Sequence, residues 1–130
     1  MRLQPFREYV RVVRALLDGD EVDYAVGGES HRVRFQMREH RFIDLEPKIP
    51  LYIAAFGRKA QALAGELGDG LISGLPRGGT VPAMLGHARR GAERAGRALP
   101  PHFPVAAMGT LVMREPGEAD NSARAVAEGA

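Results

Sequence analysis

The stretch at residues 51–74, LYIAAFGRKAQALAGELGDGLISG, decides the fold. Leu51, Tyr52, Ile53, Ala54 and Ala55 form an unbroken apolar run, the pattern of a strand buried on both faces. Ala60, Leu63, Ala64 and Leu67 then recur at i, i+3, i+4 and i+7, one apolar stripe of a short helix. Gly68 stands where a helix end favours a left-handed residue, and Gly70, Leu71, Ile72 and Ser73 resume as a strand. Two strands joined through one helix make a parallel pair with a right-handed crossover. The turn Gly57-Arg58-Lys59 therefore falls at the carboxyl end of the first strand and the amino end of the helix. Free backbone N–H groups, the positive helix end and two cationic side chains converge there, a setting suited to a phosphate group.

Working outward, residues 5–17 read as an amphipathic helix, with Pro5 in its first turn and Phe6, Tyr9, Val10, Val13, Leu16 and Leu17 on one face. The period changes over residues 21–36, where Val22, Tyr24 and Val26 alternate, Gly27-Gly28 turns, and Val33 and Phe35 alternate again, a β-hairpin. A polar connector with Pro47 and Pro50 leads into the strand at Leu51. Downstream, a loop holds Pro76, Arg77, Gly78 and Gly79. Thr80 is a good N-cap for a helix over residues 81–95, ended by Gly96. Residues 104–113, PVAAMGTLVM, read as a third strand, and the tail from Gly117 begins another helix. The methionines Met84, Met108 and Met113 fall at apolar positions and read as core. Alternating β and α elements predict an α/β fold with about three parallel strands, flanking helices and a hairpin insertion.

Bulk properties narrow the function classes. With 45% apolar and 26% charged residues the chain has the composition of a globular domain, and no apolar run approaches the roughly 20 residues of a membrane span. The absence of Cys excludes disulfides, thiolate metal sites and a cysteine nucleophile, and fits a cytoplasmic setting. His31, His40, His87 and His102 show no ligand spacing, so no metal is expected. A basic balance raises nucleic-acid binding through Arg89, Arg90, Arg94 and Arg97, but acids interleave with these cations and no aromatic residues alternate with them.

Four stretches together resemble the luciferase-like family of flavin- and deazaflavin-dependent oxidoreductases. They are PFREYVRVVRALLDGDEVDY with HRVRF, then IPLYIAAFGRKAQALAGELGDGLISG, then ARRGAERAGR, and FPVAAMGTLVMRE. The resemblance implies a (β/α)8 barrel of about 250 residues or more. Residues 1–130 would form an incomplete, C-terminal part of it, holding the sixth to eighth strands, with the hairpin as the insertion before the sixth. It further implies FMN or the deazaflavin coenzyme F-420 as cofactor, a small-molecule substrate, no nucleic-acid or membrane partner, and association of like subunits in the intact protein. On the family pattern, Phe56, Gly57, Arg58, Lys59, Ser73 and Gly74 would hold the phosphate end of the cofactor. Much of the ring pocket would lie in the first half of the barrel, and no catalytic residue is assigned here. Arg58 stands where many relatives carry Pro. Arg77 is a weaker candidate for an anionic group. The alternatives are a phosphate-binding barrel without flavin and a truncated, non-catalytic remnant.

Overall fold

The computed structural model describes residues 3–75, 79–109, 112–119 and 121–129. Helix α1 (Leu3–Leu17) starts two residues before the proline, which leaves Pro5 in the first turn where no backbone N–H is needed. Val10 is its buried residue, whereas Tyr9 is 58% exposed, so the apolar face is narrower than the sequence pattern suggests. The hairpin follows as β1 (Val22–Val26) and β2 (Glu29–Val33), antiparallel, with Gly27 and Gly28 at φ 63° and 91°. Two successive positive φ values define the turn that matches strand twist, and glycine adopts them without strain. Exposed Arg32–Asp23 and Arg34–Glu21 pairs lie across this ribbon.

The second sheet is built from β3 (Tyr52–Ala54), β4 (Gly70–Gly74) and β5 (Val105–Met108), all parallel and in that order. Between them run α2 (Arg58–Leu67) and α3 (Val81–Arg94), and α4 (Ala123–Gly129) closes the described chain. This is the α/β arrangement expected of part of a barrel, with two crossovers. Thr80 caps α3 by accepting from the Ala83 N–H, and Gly96 follows the helix at φ 67°. The third strand stops at Met108, short of the expected 113, with Thr110 and Leu111 outside the described residues.

Register explains which face is covered. Ile53, Leu71 and Val105 are paired across the sheet, as are Ala54, Ile72 and Ala106 one residue later. Side chains alternate, so the two rows point to opposite faces. The first row, with Ala55, packs into a core containing Ala64, Met84, Ala88 and Phe103. The second face is open: Tyr52 is 41% exposed, Phe56 50% and Met108 51%. The apolar run at 51–55 is therefore covered on one side only, which corrects the expectation of a strand buried on both. Among the three methionines read as core, Met84 alone is buried, because Met108 sits on the open face of an edge strand and Met113 is 83% exposed. The accessible surface makes the same point. At 9425 Å² for 14.1 kDa it well exceeds the roughly 6,700 Å² of a closed monomer of this mass.

Helices α2 and α3 touch through their backbones. A Cβ built on Gly65 would lie 1.8 Å from the Ala88 carbonyl oxygen, and one on Gly91 would lie 1.8 Å from that of Ala62. Two glycines thus set the spacing of α2 and α3 reciprocally, and α2 packs on β3 and β4. Gly68 behaves differently from its expected role. It is extended (φ −91°, ψ 166°) rather than left-handed. Its missing side chain instead makes room for the Ala64 and Gly70 carbonyl oxygens, 2.8 and 3.1 Å from where a Cβ would stand.

The amino ends of the strands are tied together by charge. Asp69, just before β4, accepts from the Leu51 N–H (2.9 Å) and from Arg14 (2.6 Å). Arg14 also donates to the Leu67 carbonyl, and Arg97 to the Gly65 and Glu66 carbonyls, so the last turn of α2 is capped by two guanidinium groups. Burial pushes the Asp69 carboxyl up, but the Leu51 N–H, Arg14 and Lys48 outweigh it and hold the group below its ordinary value.

Candidate functional site

The carboxyl ends of the strands lie at the opposite end of the sheet. There the ladder continues past β3 and β4 through Ala55 N–H to Ile72 O (2.8 Å) and Leu75 N–H to Met108 O (3.0 Å). Phe56 leaves the strand toward the open face and covers Gly74 of the neighbouring strand, where an added Cβ would stand 3.2 Å from the ring. Tyr52 covers Gly70 in the same way at the other end. Glycines on β4 thus admit aromatic rings from β3, and Phe56 and Gly74 form one wall at the strand ends.

Gly57 is the N-cap of α2, extended at φ −129°, ψ 159°, and it supplies no side-chain cap. Its carbonyl accepts from Gln61 (2.9 Å), which starts the helix. The N–H groups of the first turn have no acceptor within a helix, by the geometry of any helix start. A Cβ at Gly57 would meet nothing within 4 Å. The space in front of this helix end is open, and its donors are uncovered by protein side chains.

Ser73 is placed differently from Gly74. Successive residues on a strand point to opposite faces, and Ser73 points to the helix side, fully buried, its hydroxyl without a hydrogen-bond partner among the described residues. Its main chain still lies at the strand end, but its side chain is walled off from the open face. Arg58 and Lys59 also turn toward the helix side. They line a cleft of about 580 Å³ between α1, α2 and α3, together with His87, Arg90 and Arg94. The six sequence-predicted residues therefore divide into Phe56, Gly57 and Gly74 at the strand ends, the cations in the cleft, and buried Ser73. Arg77 lies outside the described residues.

Two residues that the sequence reading passed over link these parts. Gln61, 1% exposed, donates to the Ala55 carbonyl (3.3 Å) and accepts from His87 Nδ1 (2.7 Å). It fastens the end of β3 to α3. The signal in the sequence was a polar amide beside the apolar stripe of α2, a position that needs a partner when buried. Burial pushes the pKa of His87 down, and the neighbouring Arg90 and Arg58 push it further the same way. Among the described residues no group of His, Asp and Glu is arranged to hold a metal ion. None of the described helices is long and apolar enough to cross a membrane.

The profile of the luciferase-like monooxygenase family matches residues 1–129. The chain belongs to that family. Similar curated proteins include three F420-dependent glucose-6-phosphate dehydrogenases. The one from Mycolicibacterium fortuitum is 36% identical over 99 residues, that from Mycolicibacterium gilvum 37% over 103, and that from Gordonia bronchialis 32% over 98. In each case the match covers 74% of this chain and 28% of the relative, so the matched part of the chain spans less than a third of their length. No solved structure matches it significantly.

Proposed function

We propose that this chain forms the part of a deazaflavin-dependent oxidoreductase that holds the phosphate-bearing tail of the cofactor. The observation that carries the reading is the uncapped first turn of α2. It stands at the carboxyl end of β3 beside Gly74, with open space where a side chain at Gly57 would be. Open α/β sheets and barrels bind ligands at this end of the strands, and a helix start favours an anion. The F420 dependence of the three relatives favours the deazaflavin over FMN as the ring.

In this reading the residues work as follows. The backbone N–H groups of Arg58, Lys59 and Ala60 donate to phosphate oxygens, the positive end of α2 adds to the attraction, and Gly57 lets the tail approach the backbone. Arg58 and Lys59 raise the local potential from the side rather than gripping the phosphate directly. Phe56 lies along the tail and excludes water from one side of it. When bound, the deazaflavin supplies a ring carbon that exchanges hydride with a small-molecule substrate, a chemistry that belongs to the cofactor. The open face carrying Ala54, Ile72 and Ala106 looks toward where the rest of a barrel interior would lie.

Titration of the full-length apo-protein with the deazaflavin cofactor, FMN and riboflavin tests this. Ligands bearing the ribityl phosphate should bind, and riboflavin, which lacks the phosphate, should bind at least tenfold more weakly than FMN. That factor corresponds to about 1.4 kcal/mol, close to the lower end of the roughly 1.5–3 kcal/mol of a hydrogen bond to a charged group. Equal affinity for FMN and riboflavin would leave Gly57-Arg58-Lys59 as a turn and nothing more.

A further inference from the structure

The cleft on the helix side has a chemistry of its own. Five cationic side chains, Arg7, Arg58, Lys59, Arg90 and Arg94, line it against the single carboxylate of Glu66. That carboxylate is already taken: Arg7 Nε and Nη2 each approach one of its oxygens at 2.9 Å. Arg58, Lys59 and the guanidinium of Arg90 have no hydrogen-bond or ion-pair partner in the described structure. Arg94 donates only to the Arg90 carbonyl of its own helix. Like charges held this close repel one another, and at His87, where burial already lowers the pKa, Arg90 and Arg58 lower it further. Such a grouping is unfavourable unless counter-charge occupies it.

The shape of the cleft restricts the counter-charge. Its floor is Ala62, Gly91 and Ala95, small residues set by the backbone contact of α2 with α3. A volume of about 580 Å³ falls in the range of small-molecule sites. From Arg58 to Glu66 the helix rises on the order of 12 Å, enough to separate two anionic groups. Among the described residues no Phe, Tyr or Trp lines it, so they offer no platform for stacking a nucleobase. Phe56, Gly57, Ser73 and Gly74 are not among its walls, so it adjoins the strand-end site only through Arg58 and Lys59, whose side chains turn into the cleft.

We infer that the cleft between α1, α2 and α3 is a second anion site, taking a small molecule with two or more phosphate or carboxylate groups. Arg90 and Arg94 supply contacts from α3, and Arg58 and Lys59 from α2. The inference does not depend on the identity of the strand-end ligand.

Calorimetric titration of the full-length protein with tripolyphosphate and, separately, citrate tests it at low and at 0.3 M salt. Saturable binding that weakens with salt is expected, and the tighter of the two probes separates phosphate from carboxylate preference. The double variant Arg90→Gln/Arg94→Gln should bind the tighter probe at least tenfold more weakly. Arg89→Gln, on the same helix but away from the cleft, should match the wild type. All three cations are exposed, so thermal melts of the variants should coincide with that of the wild type. Cofactor affinity should be unchanged in the double variant, which separates this site from the strand-end one. Absence of saturable binding by both probes, or equal affinity of the double variant and Arg89→Gln, would overturn the inference. Tighter binding of a single-stranded oligonucleotide than of either probe would overturn the small-molecule assignment.

Discussion

Replacing Gly65 with alanine adds a single methyl group at the crossing of α2 and α3. That methyl would stand 1.8 Å from the Ala88 carbonyl oxygen and 2.5 Å from its carbon. Carbon–oxygen contacts in packed proteins settle near 3.3–3.6 Å, so the helices must separate by roughly 1.5 Å. No rotamer change relieves this, because both partners are backbone. Separation also lifts Met84, Ala88 and Ala92, each fully buried, from the layer beneath. Overpacking typically costs 1–3 kcal/mol and occasionally more, and a backbone clash belongs at the upper end. Alanine returns up to about 1 kcal/mol through helix propensity, leaving a net loss of about 2–3 kcal/mol. For a barrel of about 250 residues that is a fall in Tm of roughly 4–12 °C. The internal control is Gly86→Ala, within α3, where the added Cβ would meet only the tip of Arg90 at 3.7 Å. There the propensity gain is unopposed and the change should stabilise by about 0.5–1 kcal/mol. Urea and thermal melts of the two variants in the full-length protein should move in opposite directions. A Gly65→Ala protein melting at or above the wild type would show that the two helices do not meet as described.

Three further outcomes follow from the same geometry. Asp69 has its carboxyl pKa lowered in the folded chain, so its contribution is fully present above the unfolded value of about 4 and is lost as pH falls through the folded one. Asp69→Asn should cost about 2 kcal/mol at pH 7, because Arg14 loses its partner, and should flatten the stability profile below pH 4 in acid titrations followed by circular dichroism. The 130-residue chain by itself, with Tyr52, Phe56 and Met108 exposed and β3 and β5 as open edges, should associate and bind a hydrophobic dye, and a monomeric cooperative melt at high temperature by light scattering would contradict this. Gly57→Asp should leave the fold intact or slightly more stable and should weaken binding of the phosphate-bearing cofactor at least tenfold, measured by fluorescence titration; unchanged affinity would remove the strand-end site.

Local chemistry was legible in the sequence where a single turn or cap decides the backbone. Gly27-Gly28, Thr80 and Gly96 act in the structure as their types predict, and the order of strands and helices from 51 to 108 follows from period and punctuation. What escaped was set by residues far apart in the chain. Gly68 looks like any helix-ending glycine, yet its reason is the approach of the Ala64 and Gly70 carbonyls. Met108 and Tyr52 have apolar neighbours in sequence but face a side of the sheet that the described residues leave open. For the candidate site, adjacency in sequence misled: Ser73 and Gly74 are neighbours, and the strand period of 2 sends their side chains to opposite faces. The pairing of Gln61 with His87 spans α2 and α3, and no local pattern announces it.

The two ends of the sheet differ in how completely they are satisfied, and the difference bears on function. At the amino ends, the carbonyls of α2 are capped by Arg14 and Arg97, and both arginines meet Asp69. At the carboxyl ends, α2 begins at a glycine with no cap, although α3, reached from β4 in the same sense, begins at a threonine that caps it. A threonine or aspartate at position 57 would be compatible with its extended backbone and worth a few tenths of a kcal/mol to the helix. It would also place a side-chain oxygen on the donors that an anion needs. A bare helix start is thus slightly worse for the fold and better for a ligand. Barrel folds divide labour in this way, with stability at the amino ends of the strands and ligands at the carboxyl ends. On the proposed reading of the strand-end site, the contrast between Gly57 and Thr80 in one short chain expresses that division at the level of single residues.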